Sequence, residues 1–221
     1  MSDRVLVVTD DIFELSTISA ALKLHGTNVV GEARKAAAAI SLQRSLQPNV
    51  LLIDMHVNGE DSITVATAIR KENPLIGIIL LVACADFRLL GQSQTEIPAG
   101  TKVIIKSTIS NIASLCEIIS ESRIFASDTP ITWIHGNVVL DQISKEHLMS
   151  KLTNIQIDTL RMVADGLTNA EIGRMRFVSE KAIEQIISRI SQVINVQPDR
   201  SKNMRVQLVG EYFKWIGAPR H

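Results

Sequence analysis

The chain has 221 residues, 46% hydrophobic and 21% charged, a globular composition long enough for one large domain or two small ones. No apolar run approaches the roughly 20 residues of a membrane span, Met1-Ser2-Asp3-Arg4 lacks a secretion-signal layout, and Cys84 and Cys116 show no CxxC spacing. A cytoplasmic protein without membrane attachment, disulfide framework or zinc site is therefore expected. The net charge of zero is split: residues 1–123 carry 11 Lys/Arg against 13 Asp/Glu, residues 124–150 carry 1 against 3, and residues 151–221 carry 11 against 7. An anionic partner is expected at the positive C-terminal end.

In chain order, short apolar runs at Val5–Val8, Asn28–Val30, Val50–Ile53, Ile78–Val82 and Val103–Ile105 predict strands. Helical patterns over residues 12–24, 33–46, 61–72, 86–92 and 109–121 separate and follow them. Five βα units with continuously apolar strands imply a parallel sheet covered on both faces. Right-handed crossovers favour a doubly wound, flavodoxin-like α/β domain with strand order 2-1-3-4-5.

After Arg123 the pattern dissolves. Asp128-Thr129-Pro130 and His135-Gly136-Asn137 mark residues 124–150 as a linker, with short extended pieces at Ile131–Ile134 and Val138–Leu140. From Leu152 the chain reads as an all-α four-helix domain, residues 151–221, with helices near 154–165, 169–175, 180–194 and 202–215. Thr153-Asn154-Ile155-Gln156 and Thr168-Asn169-Ala170-Glu171 read as capping boxes, and Gly166 as the residue ending the first helix.

Three predicted strands end in residues with chemistry: Asp10-Asp11 after the first, Asp54 after the third and Lys106 after the fifth. Ligands of open parallel sheets bind beyond the carboxyl ends of the strands, where the 2-1-3-4-5 order brings these four side chains together. Clustered carboxylates repel unless a cation lies among them, and Mg²⁺ takes hard oxygen ligands of this kind. Asp54, on the central strand, is the best placed to attack a phosphoryl group, with Mg²⁺ and an ammonium stabilising the transferring oxygens. Read singly, Asp10 and Asp11 can simply cap the helix that begins at Ile12.

Val5–Asp11, Pro48–Gly59 and Val103–Lys106, with Gly31-Glu32-Ala33 and Asp61, resemble the motifs of response-regulator receiver domains over about residues 4–121. The resemblance implies Asp54 as phosphoacceptor, Asp10 and Asp11 with the His56 backbone carbonyl as Mg²⁺ ligands, Lys106 as the phosphoryl contact, and a cognate histidine kinase. Three positions depart from the family. Val82, followed by Ala83, stands where the fourth strand usually ends in Thr or Ser, and a shifted alignment offers only Cys84, a weak hydrogen-bonding group. Val103 replaces the aromatic partner on the fifth strand, and Asn58 replaces a proline. The phosphate-accepting residues are present, but the usual readout is altered.

Leu152-Thr153, Leu160–Gly173 and Val178–Ile183 resemble the LuxR/GerE-type helix-turn-helix, which with the receiver gives the NarL/FixJ architecture. The helix starting at Ser179 is expected to enter the major groove of double-stranded DNA. Ile172, Met175, Val178, Ile183, Ile187 and Ile190 are expected in the core, and Lys181, Glu184, Gln185, Ser188 and Arg189 on the DNA side. Glu184 can accept from cytosine and Gln185 can read adenine. Lys181, Arg189, Arg174, Arg176 and Lys202 suit phosphates. Met204, Leu208, Tyr212, Phe213, Trp215 and Ile216 give the last helix more apolar surface than its small unit needs. Core packing and a homodimer contact both account for it.

Three readings result: a phosphorylation-controlled dimeric transcription factor, an atypical regulator that binds DNA without an Asp54 switch, and a protein-interaction adaptor. An enzyme is disfavoured, because no Gly-rich phosphate loop, nucleophile–base pair or metal-binding His pair occurs.

Overall fold

The computed structural model describes residues 3–57, 60–84, 86–90, 97–122, 130–135, 138–140, 151–196 and 201–216. They form two compact units: residues 1–83 with 94–143, and residues 84–93 with 144–221.

The first unit is built on strands β1 (Arg4–Val8), β2 (Asn28–Ala33), β3 (Val50–Asp54), β6 (Gly77–Val82), β7 (Lys102–Ile105), β8 (Thr132–His135) and β9 (Val138–Leu140), with β4 (His56–Val57) and β5 (Glu60–Asp61) forming a separate antiparallel pair. The large sheet runs β2-β1-β3-β6-β7-β8-β9. Its first five strands reproduce the expected 2-1-3-4-5 parallel order, and every residue of β3 and β6 is buried. Continuous apolar strands are stable only with both faces covered, and helices provide that cover. Helices α1 (Ile12–Leu24) and α4 (Ile112–Ser122) are neighbours, as are α2 (Ala36–Leu46) and α3 (Ser62–Glu72). Val5, Val7, Leu52, Ile79, Leu81 and Ile104 share one core with Leu15, Leu22, Leu115 and Ile119 of α1 and α4.

The extended pieces expected around residues 131–140 join the sheet. β8 pairs parallel with β7, Val103 opposite Trp133, and β9 turns back antiparallel on β8. The intervening Gly136 and Asn137 lie outside the described residues, as do 123–129 and 141–150. One expected helix differs. Instead of an α-helix over 86–92, a 3₁₀ turn covers Phe87–Leu90, and residues 91 and 92 lie outside the described residues. A close approach also fixes where α4 meets β6: a Cβ at Gly77 would lie 2.5 Å from Ser122 Oγ and 2.9 Å from its backbone. No side chain fits there.

The second unit contains α5 (Asn154–Ala164), α6 (Asn169–Arg176), α7 (Glu180–Val193) and α8 (Met204–Trp215). Its starts follow from the caps. Thr153 accepts from Gln156 N–H while Gln156 Oε1 accepts from Thr153 N–H, a complete capping box. At Thr168 only half of the expected box forms, because the Glu171 carboxylate pairs with Arg174 at 2.7 Å. Gly166 ends α5 with φ +84°, a left-handed conformation glycine adopts without steric cost. Leu160, Ile172, Ile183, Ile190 and Leu208 are fully buried and form the core, which also takes in Cys84, Leu89 and Tyr212. Within this unit the Tyr212 hydroxyl donates to the Leu89 carbonyl at 2.9 Å.

Two expected core residues are exposed: Met175 at 52% and Val178 at 44%. Helical periodicity stops at Arg176, since Phe177 takes a left-handed φ of +57° and redirects the chain. Val178, beyond that break, no longer shares a face with Ile172, while Met175, inside α6, lies on its solvent side.

Burial pushes the Cys84 thiol up to about 11, and the S–H donates to the Asp86 carbonyl at 3.5 Å, which also favours the neutral thiol. Thiolate is the reactive form, so Cys84 is expected to resist iodoacetamide at pH 8 while the half-buried Cys116 is modified first. Peptide mass spectrometry with and without denaturant reads the order, and equal labelling rates in the folded protein would contradict it.

Candidate functional site

The carboxyl ends of β1 and β3 are adjacent, and that of β7 lies one strand further along the same edge, across β6. Asp54 is the last residue of β3, only 7% exposed, and Lys106 follows β7 directly. The Lys106 ammonium donates to Asp54 Oδ2, and it also lies 3.1 Å from both Glu14 carboxylate oxygens. Burial works against the ammonium charge, but Asp54 and Glu14 outweigh it and hold Lys106 above its ordinary pKa. Lys106 is therefore a fixed cation at neutral pH.

Thr9 completes the cluster. Its hydroxyl, on a residue 2% exposed, is 3.4 Å from Glu14 Oε2 and 3.5 Å from Asp54 Oδ2. Both distances are long for O–H···O bonds, so this hydroxyl is poised between two carboxylates and bound strongly to neither. Glu14 is anchored from its own backbone, whose N–H donates to Asp11 Oδ1 at 2.7 Å.

Asp11 is the N-cap of α1, so the capping role weighed for it is real. The Asp10 carbonyl accepts from Arg34 Nε and Nη2 at 3.2 and 3.1 Å. Among the described residues no three His, Cys, Asp or Glu side chains converge as a metal cage. Mg²⁺ does not require one: it is commonly held by one or two carboxylates, waters and a phosphate. The hard-oxygen set of Asp10, Asp11 and Asp54 fits that ion chemically, with Asp11 keeping one oxygen outside its cap bond.

In the helical unit, α7 is two-faced. Ile183, Ile187 and Ile190 are buried, while Lys181, Glu184, Gln185, Ser188 and Arg189 are all exposed. Ser179 caps the helix, accepting from Ala182 N–H at 3.2 Å. Arg174 is exposed, whereas Arg176 is largely covered and lies 3.7 Å from Asp158. Arg176 is thereby drawn toward α5.

Residues 5–94 match the family described as response regulator receiver domain, and residues 150–202 match bacterial regulatory proteins, luxR family. The chain belongs to the LuxR-type response regulators. This regulator is 21% identical over 189 residues to the DNA-binding transcriptional activator EvgA of Escherichia coli K12, covering 86% of this chain and 90% of EvgA. It is 24% identical over 205 residues to the response regulator protein VraR of Staphylococcus aureus NCTC 8325, covering 91% and 94%. Among solved structures it resembles RcsB of Salmonella enterica serovar Typhimurium bound to a promoter, at TM-score 0.56 and 19% identity, covering 96% and 98%. An RcsB–DNA complex gives TM-score 0.54 at 20% identity, covering 98% and 100%. These likenesses support the fold.

At the positions where the regulator departs from its family, Val82 and Val103 are fully buried in β6 and β7, and Ala83 is half-buried just past the strand. Val82 pairs with Ile105, and Val103 with Leu80. Asn58 and Gly59 lie outside the described residues. Sequence reasoning missed Thr9, Glu14 and Arg34. An acidic residue in the first turn of a helix that starts at the pocket was the available signal for Glu14.

Proposed function

We propose that this regulator binds promoter DNA through α6 and α7 and is controlled by a receiver that accepts a phosphoryl group on Asp54. The proposed division is receiver 1–123, linker 124–150 and DNA-binding domain 151–221. The observation that carries the reading is α7, which buries Ile183, Ile187 and Ile190 and offers a continuous polar face beginning at its capped N-terminus. A helix of that kind, braced by a short preceding helix, is the form that enters a major groove. Glu184 and Gln185 are assigned to base edges, with Ser188 beside them. Lys181, Arg189, Arg174 and Ser179 are assigned to phosphates, with Lys202 beyond them, while Arg176 faces Asp158 instead.

In the receiver, Asp54 is the nucleophile and Lys106 orients and neutralises the phosphoryl oxygens. Mg²⁺, held by Asp10, Asp11, Asp54 and the His56 carbonyl, would neutralise further charge on those oxygens. The partners are double-stranded DNA, a histidine kinase and a second copy of this chain, with α8 exposing Val206 and Phe213 as an apolar contact. No described helix is long and apolar enough to cross a membrane, and we place the protein in the cytoplasm. Its role is regulation, with no turnover of a substrate.

Selection of genomic fragments by the purified full chain at two salt concentrations tests the DNA reading. Enrichment of a defined site is expected, weakening as salt rises. The double variant Lys181→Ala/Arg189→Ala is expected to flatten the salt dependence, by about one unit of slope per lost phosphate contact. Failure to enrich any site at low salt would leave the adaptor reading.

A second reading has its own observation. The buried Val82 and Val103 offer no hydroxyl or ring to report on Asp54. If Asp54→Asn protein binds its site as tightly as phosphorylated wild type, DNA binding is independent of that switch.

A further inference from the structure

We propose that Glu14 competes with an incoming phosphoryl group for Lys106, and thereby restrains phosphorylation of Asp54. The inference rests on Asp54 being the phosphoacceptor, and it adds a residue that sets how readily the acceptor reacts.

Lys106 has three N–H donors. In this structure they face two carboxylates at once, Asp54 through Oδ2 and Glu14 through both of its oxygens at 3.1 Å. Glu14 is not a loose surface acid. Its N–H is held by the Asp11 cap at 2.7 Å, its carboxylate is 3.4 Å from the buried Thr9 hydroxyl, and its side chain is 23% exposed. The carboxylate therefore stays beside the ammonium, where a phosphoryl oxygen must come to be neutralised.

Transfer from an acyl phosphate forms a bond from Asp54 Oδ to phosphorus as the bond from phosphorus to the acyl oxygen breaks. The carboxylate leaving group departs with the electron pair. No proton moves, because Asp54 attacks as the anion. The transferring oxygens carry their negative charge throughout, and they meet Glu14 as a fixed like charge that already occupies part of Lys106. Removing that charge lowers the repulsion and releases Lys106 donors for the phosphoryl group. Thr9 adds to this. Its hydroxyl is shared between Glu14 and Asp54, and without Glu14 it can turn wholly to the acceptor side.

The test uses the full chain with acetyl phosphate and Mg²⁺, following adduct formation by intact mass. Glu14→Gln keeps the shape and removes the charge, Glu14→Asp keeps the charge, and Glu14→Ala removes both. Phosphorylation is expected to speed up about tenfold in Glu14→Gln and Glu14→Ala, the scale of losing one nearby like charge, while Glu14→Asp stays close to wild type. Beryllofluoride with Mg²⁺, a phosphoryl mimic followed by ¹⁹F NMR, should bind more tightly in the same order, which reads the effect without the transfer step. If Glu14 merely positions Lys106, Glu14→Ala is slower than wild type and Glu14→Gln unchanged, and the restraint is overturned. An adduct that forms only in Glu14→Gln, and is lost when Asp54→Asn is added, supports a strong restraint. If neither wild type nor any variant gains an adduct or binds beryllofluoride, the phosphoacceptor reading fails and this inference falls with it.

Discussion

Asp54→Asn is expected to abolish the phosphoryl adduct formed with acetyl phosphate and Mg²⁺, leaving a folded protein. The reaction needs an anionic oxygen at the end of β3, and an amide of the same shape supplies none. Structure should survive because Lys106 keeps Glu14 as a partner at 3.1 Å after the Asp54 contact is lost. Breaking a fully buried ion pair costs about 3–5 kcal/mol, but the Lys106 side chain is 31% exposed and stays paired, so the loss here should be well below that range. The pH dependence has a definite sign. Lys106 titrates higher in the folded protein than its ordinary 10.5, so its pairs stabilise the fold fully below that value. The contribution is lost as pH rises through the folded value. On the alkaline side, melting curves of wild type and Asp54→Asn should therefore converge as Lys106 loses its charge. An adduct that persists in Asp54→Asn, mapped to another residue, would remove Asp54 as the acceptor.

Ile183→Ala should produce a large loss of stability in the helical unit. Ile183 is fully buried on α7 and packs in one core with Leu160, Ile172, Ile187 and Ile190. Truncating a buried Ile to Ala costs about 2–5 kcal/mol, from lost transfer energy and the cavity left behind. Whole domains have only about 5–15 kcal/mol of net stability, so this is a large fraction for a unit of this size. Urea unfolding of the full chain should show an early transition for residues 151–216, with the sheet's transition unmoved. The same substitution at exposed Lys181 should stay within about 0.5 kcal/mol, while weakening DNA binding. An Ile183→Ala midpoint equal to wild type would show that the helical core does not depend on α7.

Much of this was legible because it depends on local pattern. Val50–Ile53 and Ile78–Val82 are apolar at every position, and only a strand covered on both faces tolerates that. Thr153, Thr168 and Ser179 stand where side chains must satisfy free N–H groups, and the three helix starts follow them. That Asp54 and Lys106 share one site also followed, since both stand at strand ends on the carboxyl edge of a single parallel sheet. Other features depended on geometry that no window of sequence contains. The extended pieces near residues 131–140 were visible, but the pairing of β8 with β7, and of β9 with β8, needed the sheet edge to be free at that place. Val178 kept a helical spacing on paper and lost it at the left-handed Phe177, while Met175 falls on the solvent side of α6.

Asp54 was thus found by sequence, and its surroundings were not. The sequence by itself determined a βα sheet with an acidic crevice and a basic lysine, followed by a capped helical unit with a polar-faced second helix. Those features follow from periodicity, caps and strand ends, each decided within a few residues. Only the tertiary structure decided that Glu14 and Thr9 belong to the crevice, that Arg176 turns toward Asp158, and that Val82 and Val103 are locked in the sheet. Such contacts join residues as far apart as Glu14 and Lys106, and their geometry exists only once the sheet and helices have packed.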